Sequence, residues 1–333
     1  MRHIIKILGG VVLLLLGGLV AAKIALARPP GSKSSPPKGY SSSQALLAAY
    51  ALKELQLVDL NPPMPAGVVE KKGIEYGKAG DRSLLLDLFT PVSKPNGVPG
   101  LIFIHGGGWR GGKRQSYRVY TTHFAKLGYV AATISYRFVQ EAPFPACFQD
   151  AQNSVRWMRS NAKDLGVNPD RIAVIGGSAG GYLAMMVGYG SESAEPETGD
   201  ARFAVSSRIA ALINFYGPSD LTTPFAKSSP LVKALLEGKS FEQAPDLYLR
   251  ASPITHLSSN APPTLIFHGT LDEIVPIDQS DSLAAKLKQL NIPYEYERLE
   301  GWPHTMDAGQ AVNEYAKAKM EAFLVKHLGP IAD

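Results

Sequence analysis

The chain has 333 residues, 45% of them hydrophobic, which is enough to form one large α/β domain with a sizeable core. It carries 34 Lys and Arg residues against 29 Asp and Glu residues, but six of the bases lie in residues 1–40, where no acid occurs. The rest has 28 bases against 29 acids, and this near-neutral balance argues against nucleic-acid partners. The single cysteine, Cys147, excludes an intrachain disulfide, and its apolar neighbours predict a buried thiol.

The first 27 residues are predicted to form a signal peptide or a membrane anchor. Two basic residues precede an uncharged run over residues 7–22, and Ala25-Leu26-Ala27 has the small-x-small pattern of a cleavage site. The 16 uncharged residues would extend about 24 Å as a helix, so an uncleaved anchor through residues 4–22 is the alternative to cleavage. Both interpretations predict an exported protein, either periplasmic or secreted, or one anchored to a membrane.

Between this segment and the main domain we expect a linker and a short helical segment. Residues 28–40 are rich in Pro, Ser, Gly and Lys, which is the composition of a linker. Residues 43–57 are rich in Ala and Leu and predict a helix, which the prolines that follow would end. Residues 41–66 are therefore assigned to an N-terminal helical segment, ahead of a main domain over residues 67–330.

From residue 67 onward, apolar strands alternate with helices. The strands are predicted at 68–76, 83–89, 100–104, 129–136, 171–175, 209–216, 263–268 and 294–299, and the helices at 115–127, 146–164, 179–187, 278–290 and 311–328. Short apolar strands joined by helices of this length are typical of a mainly parallel eight-stranded sheet with helices on both faces. In such sheets, ligands bind at the carboxyl ends of the strands.

Two stretches interrupt this alternation. Residues 191–207 are polar and rich in Gly, Ser and Glu, and they predict a surface loop. Residues 221–258 contain one weak helix pattern at 230–236 and no strand pattern, which predicts a small lid-like insertion beside the site.

A glycine cluster follows the third predicted strand. Gly106-x-Gly108-x-x-Gly111 has the spacing of a dinucleotide-binding loop, in which glycines let the backbone approach a pyrophosphate. That interpretation requires an acid about 20 residues later to bind the ribose, but between Leu101 and Glu141 there is no Asp or Glu. We therefore expect this loop to present its backbone to a different anion.

A second glycine cluster lies between the fifth predicted strand and the helix after it. Gly176-x-Ser178-x-Gly180 is the pattern of a nucleophile elbow, a sharp turn that exposes a serine hydroxyl. The small neighbours let strand and helix pass closely, and a helix amino terminus favours negative charge on Ser178. This pattern predicts a nucleophilic serine.

A serine nucleophile needs a histidine base and an acid that orients it, and in this type of fold they follow in the order Ser, acid, His. Only His304, in the loop after the last predicted strand, has the required order and position. For the acid, Asp272 just beyond the seventh strand is favoured over two competitors. Asp278 has the position of a helix cap, and Asp307 follows the histidine.

Acyl transfer from an ester builds negative charge on the carbonyl oxygen, and a backbone N–H group that points at this oxygen contributes about 10²–10³ to the rate. Ala179, the residue after the serine, is placed to supply one such group. The glycine loop after the third strand is expected to supply others. The anion held by the first glycine cluster is therefore predicted to be a transient oxyanion.

Four motifs together resemble the feruloyl- and acetyl-xylan-esterase-like (BD-FAE-like) group of α/β-hydrolase esterases, which is related to the hormone-sensitive-lipase-like enzymes. The motifs are His105-Gly-Gly-Gly-Trp109 with Gly111-Gly112-Lys113, Gly176-Gly-Ser-Ala-Gly-Gly181, Ala251-Ser-Pro-Ile-Thr-His256 and His268-Gly-Thr-Leu-Asp-Glu-Ile-Val-Pro276. The resemblance covers about residues 68–328 and implies the α/β-hydrolase fold. It also implies the catalytic residues Ser178, Asp272 and His304, and the oxyanion-hole donors Gly107, Gly108 and Ala179. Relatives often carry a larger residue at the position of Gly177.

The combined expectation is a serine hydrolase that cleaves carboxylic esters of short- to medium-chain, acetyl or feruloyl type, with no cofactor and no metal. Its expected partners are a small-molecule or carbohydrate-linked ester and, through the N-terminal segment, a membrane. The oligomeric state is left open. Trp109, Tyr182 and Trp302 flank the motifs and are expected either to line the acyl or alcohol pocket or to pack in the core.

Two other functions are compatible with the same residues. One is an amidase or peptidase, although residues 41–66 are too short for the large N-terminal domain that such peptidases usually carry. The other is a non-catalytic protein that uses the fold to bind a ligand. The intact order of serine, acid and histidine argues against this second alternative.

Overall fold

The computed structural model describes residues 35–93, 96–190 and 205–331. The predicted signal or anchor segment at 1–27, most of the predicted linker and residues 191–204 of the predicted surface loop lie outside these ranges. Among the described residues, no helix has both the length and the apolar character that crossing a bilayer requires.

The described residues contain one eight-stranded sheet. Its strands are β1 (Val68–Ala79), β2 (Arg82–Pro91), β3 (Val98–Ile104), β4 (Val130–Ile134), β5 (Val167–Gly177), β6 (Ala211–Phe215), β7 (Thr264–Gly269) and β8 (Tyr294–Leu299). Their order across the sheet is β1-β2-β4-β3-β5-β6-β7-β8. β2 is antiparallel to both β1 and β4, and every other pair is parallel. The prediction of a mainly parallel sheet is confirmed.

The helices alternate with the strands as predicted. They are α1 (Ser43–Ala51), α2 (Arg118–Lys126), α3 (Ala146–Ser160), α4 (Ala162–Leu165), α5 (Ala179–Gly190), α6 (Pro224–Ser228), α7 (Pro230–Leu235), α8 (Pro245–Arg250), α9 (Asp278–Gln289) and α10 (Gln310–Leu328). The helix predicted at 115–127 begins instead as a 3₁₀ turn over Arg114–Tyr117. The helix predicted at 146–164 breaks at Asn161. The side-chain amide of Asn161 donates to the Trp157 carbonyl (2.8 Å) and so competes with backbone N–H groups for a helical hydrogen bond.

Alternate side chains of the central strands pack on opposite faces of the sheet. In β3, Ile102 and Ile104 belong to one buried cluster, together with side chains of α3, α5 and α9. Leu101 and Phe103 belong to a second cluster, with side chains of α2 and α10. The sheet is therefore covered on both faces, which explains why its parallel strands are apolar without alternation.

Helix α1 is shorter than the predicted helix over residues 43–57. Ser42 caps its start, because the Ser42 hydroxyl accepts a hydrogen bond from the Ala45 N–H (3.2 Å). After Ala51, the backbone pairs with a distant segment instead of continuing the helix. Leu57 forms a β-bridge with Gly309, which lies just before α10.

The insertion at 221–258 contains α6, α7, α8 and a 3₁₀ turn rather than the single predicted helix. Its side chains pack on the domain, with Leu235, Leu236 and Tyr248 fully buried. Leu231 of this insertion reaches the glycine loop after β3, where a Cβ atom on Gly108 would lie 3.0 Å from its Cδ1.

The two glycine clusters leave the sheet side by side. β3 and β5 are adjacent and parallel, and Ile104 at the end of β3 lies opposite Gly176. The chain segments that follow them therefore meet at one edge of the sheet, where parallel α/β folds bind their ligands.

Candidate active site

Ser178 occupies a strained turn between β5 and α5. Its φ angle is +57°, a left-handed conformation that costs a non-glycine residue about 1–2 kcal/mol. Two backbone bonds hold the turn, from Ser178 N to the Phe215 carbonyl (2.9 Å) and from Tyr182 N to the Ser178 carbonyl (2.9 Å). This is the geometry that the nucleophile-elbow pattern predicts.

The glycines around Ser178 are required by close backbone approach. A Cβ atom on Gly176 would lie 2.2 Å from the Gly180 carbonyl oxygen, and one on Gly180 would lie 2.0 Å from the Ile104 carbonyl oxygen. At Gly177 the neighbours are different, because a Cβ atom would lie 2.4 Å from the Tyr117 hydroxyl and 3.2 Å from the Tyr216 hydroxyl. These are the ends of side chains, which move more easily than backbone.

Alanine substitutions at Gly180 and Gly177 are expected to differ in how much they lower the free energy of unfolding. Gly180→Ala forces backbone apart and is expected to lower the free energy of unfolding by about 3 kcal/mol. Gly177→Ala displaces only tyrosine hydroxyl groups, and its stability is expected to stay within about 1 kcal/mol of the unaltered protein. Urea unfolding of the two variants measures the difference. Equal destabilisation would contradict the conclusion that Gly180 is confined by backbone and Gly177 only by the ends of side chains.

His304 links Ser178 to Asp272 through two hydrogen bonds. Its Nε2 atom lies 2.9 Å from the Ser178 Oγ, and its Nδ1 atom lies 2.6 Å from the Asp272 Oδ2. Because an ionised carboxylate can only accept, Nδ1–H donates to Asp272, and Nε2 is left to accept the serine proton. The structure thus brings together the three side chains that the sequence singles out.

Asp272 is held in place by more than His304. Its Oδ1 atom accepts the backbone N–H groups of Ile274 (2.9 Å) and Val275 (2.8 Å), and His268 Nε2 lies 3.1 Å from its Oδ2. Burial alone raises the pKa of Asp272, but the bonds from His268, His304 and the backbone outweigh it and lower the pKa to about 2. The carboxylate is therefore ionised at neutral pH.

The two competing acids have other positions. Asp278 lies in the first turn of α9, whose N-cap residue is Ile277, so the prediction that Asp278 caps this helix is wrong. The helix begins at Asp278 itself, as the predicted range 278–290 has it, so the capping position falls on the residue before it. Asp307 lies close to His304 but bonds to two tyrosines, not to the histidine.

Hydrogen bonds join residues 37–39 to the part of the His304 loop that precedes His304. Gly39 N donates to the Glu300 carbonyl (3.2 Å), and the Trp302 Nε1–H donates to the Pro37 carbonyl (2.9 Å). The end of the predicted linker is therefore part of the folded domain. The linker composition did not reveal these contacts because the linker residues make them with backbone groups.

The same loop is tied again beyond His304. Val58 N donates to the Ala308 carbonyl (2.9 Å), and Gln310 N donates to the Gln56 carbonyl (2.8 Å). Residues between 37 and 58 thus hold the His304 loop at both ends, although this stretch and the loop are about 250 residues apart in sequence.

The glycine loop after β3 faces Ser178. A Cβ atom on Gly106 would lie 3.2 Å from the Ser178 Cβ, and Gly107 and Gly108 have φ angles of +122° and +59°. Within the described residues, no acceptor is paired with the backbone N–H groups of Gly107, Gly108 or Ala179. Free N–H groups beside a nucleophile are what an oxyanion hole requires.

A cavity of about 420 Å³ opens beside Ser178 and His304. The glycine residues at 106–108 and 177 form part of its wall. Its apolar lining includes Leu60, Val119, Leu231 and Ile274. It is therefore large enough for a small ligand whose reacting atom lies next to the Ser178 hydroxyl.

A cluster of tyrosines around Asp307 also lines this cavity, and the sequence did not predict it. The hydroxyl groups of Tyr120 (3.1 Å) and Tyr216 donate to the Asp307 carboxylate. Burial raises the pKa of Asp307, against the two tyrosine bonds, which lower it. The Tyr216 ring lies 4.6 Å from the His304 ring. The spacing His-x-x-Asp was the only local sequence signal that Asp307 lies near His304. The tyrosines could not be linked to it from the sequence because they belong to other elements.

The three aromatic residues that flank the motifs do not line this cavity, so the structure supports the second of the two alternatives, packing in the core. Trp109 and Tyr182 pack edge to face at 5.0 Å, and both are buried in the core. Trp302 is buried against Tyr40, at 5.6 Å between ring centroids. Their sequence positions flank the motifs, but their side chains are buried in the core.

Among the described residues, no group of three or more His, Cys, Asp or Glu side chains could hold a metal ion. Cys147 is buried, as its apolar neighbours predict, and burial raises the pKa of its thiol to about 12.

Comparison with known proteins places this geometry in a family. The family model named BD-FAE matches residues 86–287, more than half of the chain. "Probable carboxylic ester hydrolase LipM" of Mycobacterium tuberculosis is 30% identical over 262 residues, which make up 76% of this chain. The matched region makes up 60% of LipM, so this chain spans about three fifths of that relative.

Two solved structures have the same architecture. The butyrate-bound form of the esterase Est2 from Thermogutta terrifontis is 28% identical, covers 81% of this chain and 97% of its own, and gives a TM-score of 0.68. An acetyl ester-xyloside bifunctional hydrolase from Caldicellulosiruptor lactoaceticus is 27% identical, covers 76% of this chain and 90% of its own, and gives a TM-score of 0.67. The resemblance indicated by the motifs is thereby confirmed, and the chain belongs to the BD-FAE family of α/β-hydrolases.

Proposed function

We propose that this chain is a carboxylic ester hydrolase that works through an acyl-enzyme on Ser178. The observation that carries the proposal is the hydrogen-bonded chain from Ser178 through His304 to Asp272, at the wall of a cavity with free backbone N–H groups. This arrangement is the one that nucleophilic acyl transfer requires. Family membership and the esterases among its relatives support the same reaction.

In the proposed reaction, His304 Nε2 takes the proton of Ser178 as its Oγ attacks the ester carbonyl carbon. The resulting oxyanion is bound by the N–H groups of Gly107, Gly108 and Ala179. The C–O bond then breaks, and the alcohol leaves with the proton from His304. Water attacks the acyl-enzyme with His304 again as base, which releases the acid and restores Ser178.

We infer that the acyl group is of short to medium length. The cavity of about 420 Å³ has apolar walls formed by Leu60, Val119, Leu231 and Ile274, which suit a short hydrocarbon chain. A related esterase has been solved with butyrate bound, and another relative acts on an acetyl ester and a xyloside. Acetyl or feruloyl esters carried by a carbohydrate are therefore included in the proposal.

A panel of p-nitrophenyl esters with acyl chains from acetyl to dodecanoyl, with matched p-nitroanilides, tests this function. We expect kcat/KM to be highest for the short esters and to fall at least about tenfold for the longest chains, which exceed the cavity. Anilides are expected to react more slowly than esters of the same acid. Faster hydrolysis of the anilides would assign an amidase instead.

We also propose that the protein is exported or membrane-anchored through residues 4–22. The support is the sequence order of basic start, uncharged run and small-x-small site. Amino-terminal sequencing of the protein isolated from its native cells distinguishes the forms. Arg28 at the start means cleavage, and Met1 retained in a membrane fraction means an anchor.

A further inference from the structure

Exposed apolar side chains are concentrated in one stretch of the described chain. Among the residues that the structure describes, eleven large hydrophobic residues are exposed, and five of them lie between residues 47 and 60. We call these five, together with Ile274, the apolar rim: Leu47, Tyr50, Leu52, Leu57, Leu60 and Ile274. Single exposed apolar residues are ordinary, but such a concentration marks an interaction surface.

The apolar rim lies at the mouth of the cavity. Leu60 and Ile274 belong to the cavity wall itself. The Ser43 hydroxyl donates to the Glu273 carboxylate (2.8 Å), which places the start of α1 beside Ile274. Leu57 pairs with Gly309, next to the cavity residue Ala308. The rim therefore reaches the cavity through Leu57, Leu60 and Ile274, and the start of α1 adjoins it there.

Helix α1 is not explained by packing on its own domain. Its sequence from Ser43 to Ala51 has no charged residue, and Ala49 is its one buried residue. A surface helix normally turns polar side chains outward. Here Leu47 and Tyr50 are 42% and 48% exposed, so the helix presents apolar groups that need a partner.

We propose that the apolar rim docks on the surface of a lipid bilayer, with the cavity mouth facing the lipid. The sequence that precedes the rim favours this partner. Residues 7–22 are uncharged and apolar, and residues 23–40, which join them to the rim, contain four bases and no acid, which suits an anionic lipid surface. A second copy of the chain would not require this excess of positive charge.

The connection is short enough to hold the rim against a membrane. Pro37 is fixed to the domain by Trp302 (2.9 Å), and 14 residues lie between it and Ala22 at the end of the apolar run. Such a segment reaches at most about 50 Å when fully extended. Docking would let an ester dissolved in the bilayer enter the cavity without crossing water, a consequence that rests on the proposed function.

A fluorescent label on α1 tests the docking independently of activity. Cys147 is 1% exposed, so an Ala48→Cys variant of the full chain carries one reactive thiol, and Val325→Cys on α10 is the matched control. Both are labelled with an environment-sensitive dye and reconstituted in phosphatidylcholine–phosphatidylglycerol vesicles containing brominated lipid. We expect the residue-48 label to be quenched at least about twofold and the residue-325 label to be unaffected.

Three results would overturn the docking proposal. The first is an unquenched residue-48 label on a vesicle-bound chain, and the second is a chain that does not bind vesicles at all. The third is a spectral shift without vesicles that grows with protein concentration, which would mean that a second copy covers the rim.

The catalytic consequence is tested with a Leu47→Ser/Leu52→Ser variant, with Val92→Ser/Val325→Ser as the control pair of residues that are at least as exposed on average. Turnover of a vesicle-borne ester is expected to fall at least about tenfold in the rim variant only, with p-nitrophenyl acetate turnover unchanged. Equal turnover of the vesicle-borne ester would contradict the proposal. If the unaltered protein fails on the soluble ester, the proposed function is wrong, whereas the quenching result stands separately.

Discussion

Replacing Ser178 with alanine is expected to lower kcat for ester hydrolysis by about 10⁵–10⁶-fold, because the proposed acyl-enzyme forms on its Oγ atom. The Ser178 Oγ is the atom that meets His304 Nε2 at 2.9 Å. The change removes one oxygen atom, so the substrate cavity and the fold should persist. Steady-state assays on a short p-nitrophenyl ester measure the loss, and thermal unfolding checks that the variant remains folded.

Ser116 supplies the matched control for this change. It also lines the cavity, but it has no contact with His304. Ser116→Ala is expected to retain kcat within about twofold. If Ser178→Ala kept substantial turnover, or if the two alanine variants lost activity equally, Ser178 would not be the nucleophile.

Replacing Asp272 with asparagine is expected to lower kcat by about 10⁴-fold. The carboxylate Oδ2 accepts the His304 Nδ1–H at 2.6 Å, which leaves Nε2 free to accept the serine proton. An asparagine amide that donates to Nδ1 would favour the opposite tautomer, with the proton on Nε2. Asp278→Asn, in the first turn of α9 and outside the site, is the control and is expected to keep full activity.

The Asp272→Asn variant is also expected to change how stability depends on pH. Asp272 has an ordinary pKa of 3.8, and its folded pKa is lowered to about 2, so the ionised carboxylate stabilises the folded state. This contribution is complete above about pH 4 and is lost as the pH falls through 2. The stability advantage of the unaltered protein over Asp272→Asn should therefore narrow between pH 4 and pH 2 in urea unfolding. An advantage that does not change with pH would contradict the assigned pKa shift.

The features that were predicted correctly depend on local rules. The elbow pattern requires glycines where the strand and helix backbones touch, and Gly176 and Gly180 meet that need within a few residues. The position of His304 follows from chain order, because the last parallel strand must deliver its loop to the same sheet edge. Both signals are independent of how distant side chains pack.

The features that were missed depend on distant contacts. Helix α1 ends at Ala51 because the following residues pair with the segment around Gly309. Tyr216 and Asp307 meet beside His304 although they lie 91 residues apart. Trp109 was a candidate for the pocket because of its sequence neighbours, yet its φ of +57° turns its side chain into the core. No periodicity or motif spacing contains this information.

Mass spectrometry of the protein after reaction with a fluorophosphonate probe tests the central claim most directly, because the probe modifies an activated serine hydroxyl. We expect one adduct, on Ser178, with ester turnover lost in proportion to labelling, and no adduct in Ser178→Ala. An adduct on another residue, or full ester turnover with Ser178 modified, would contradict the account.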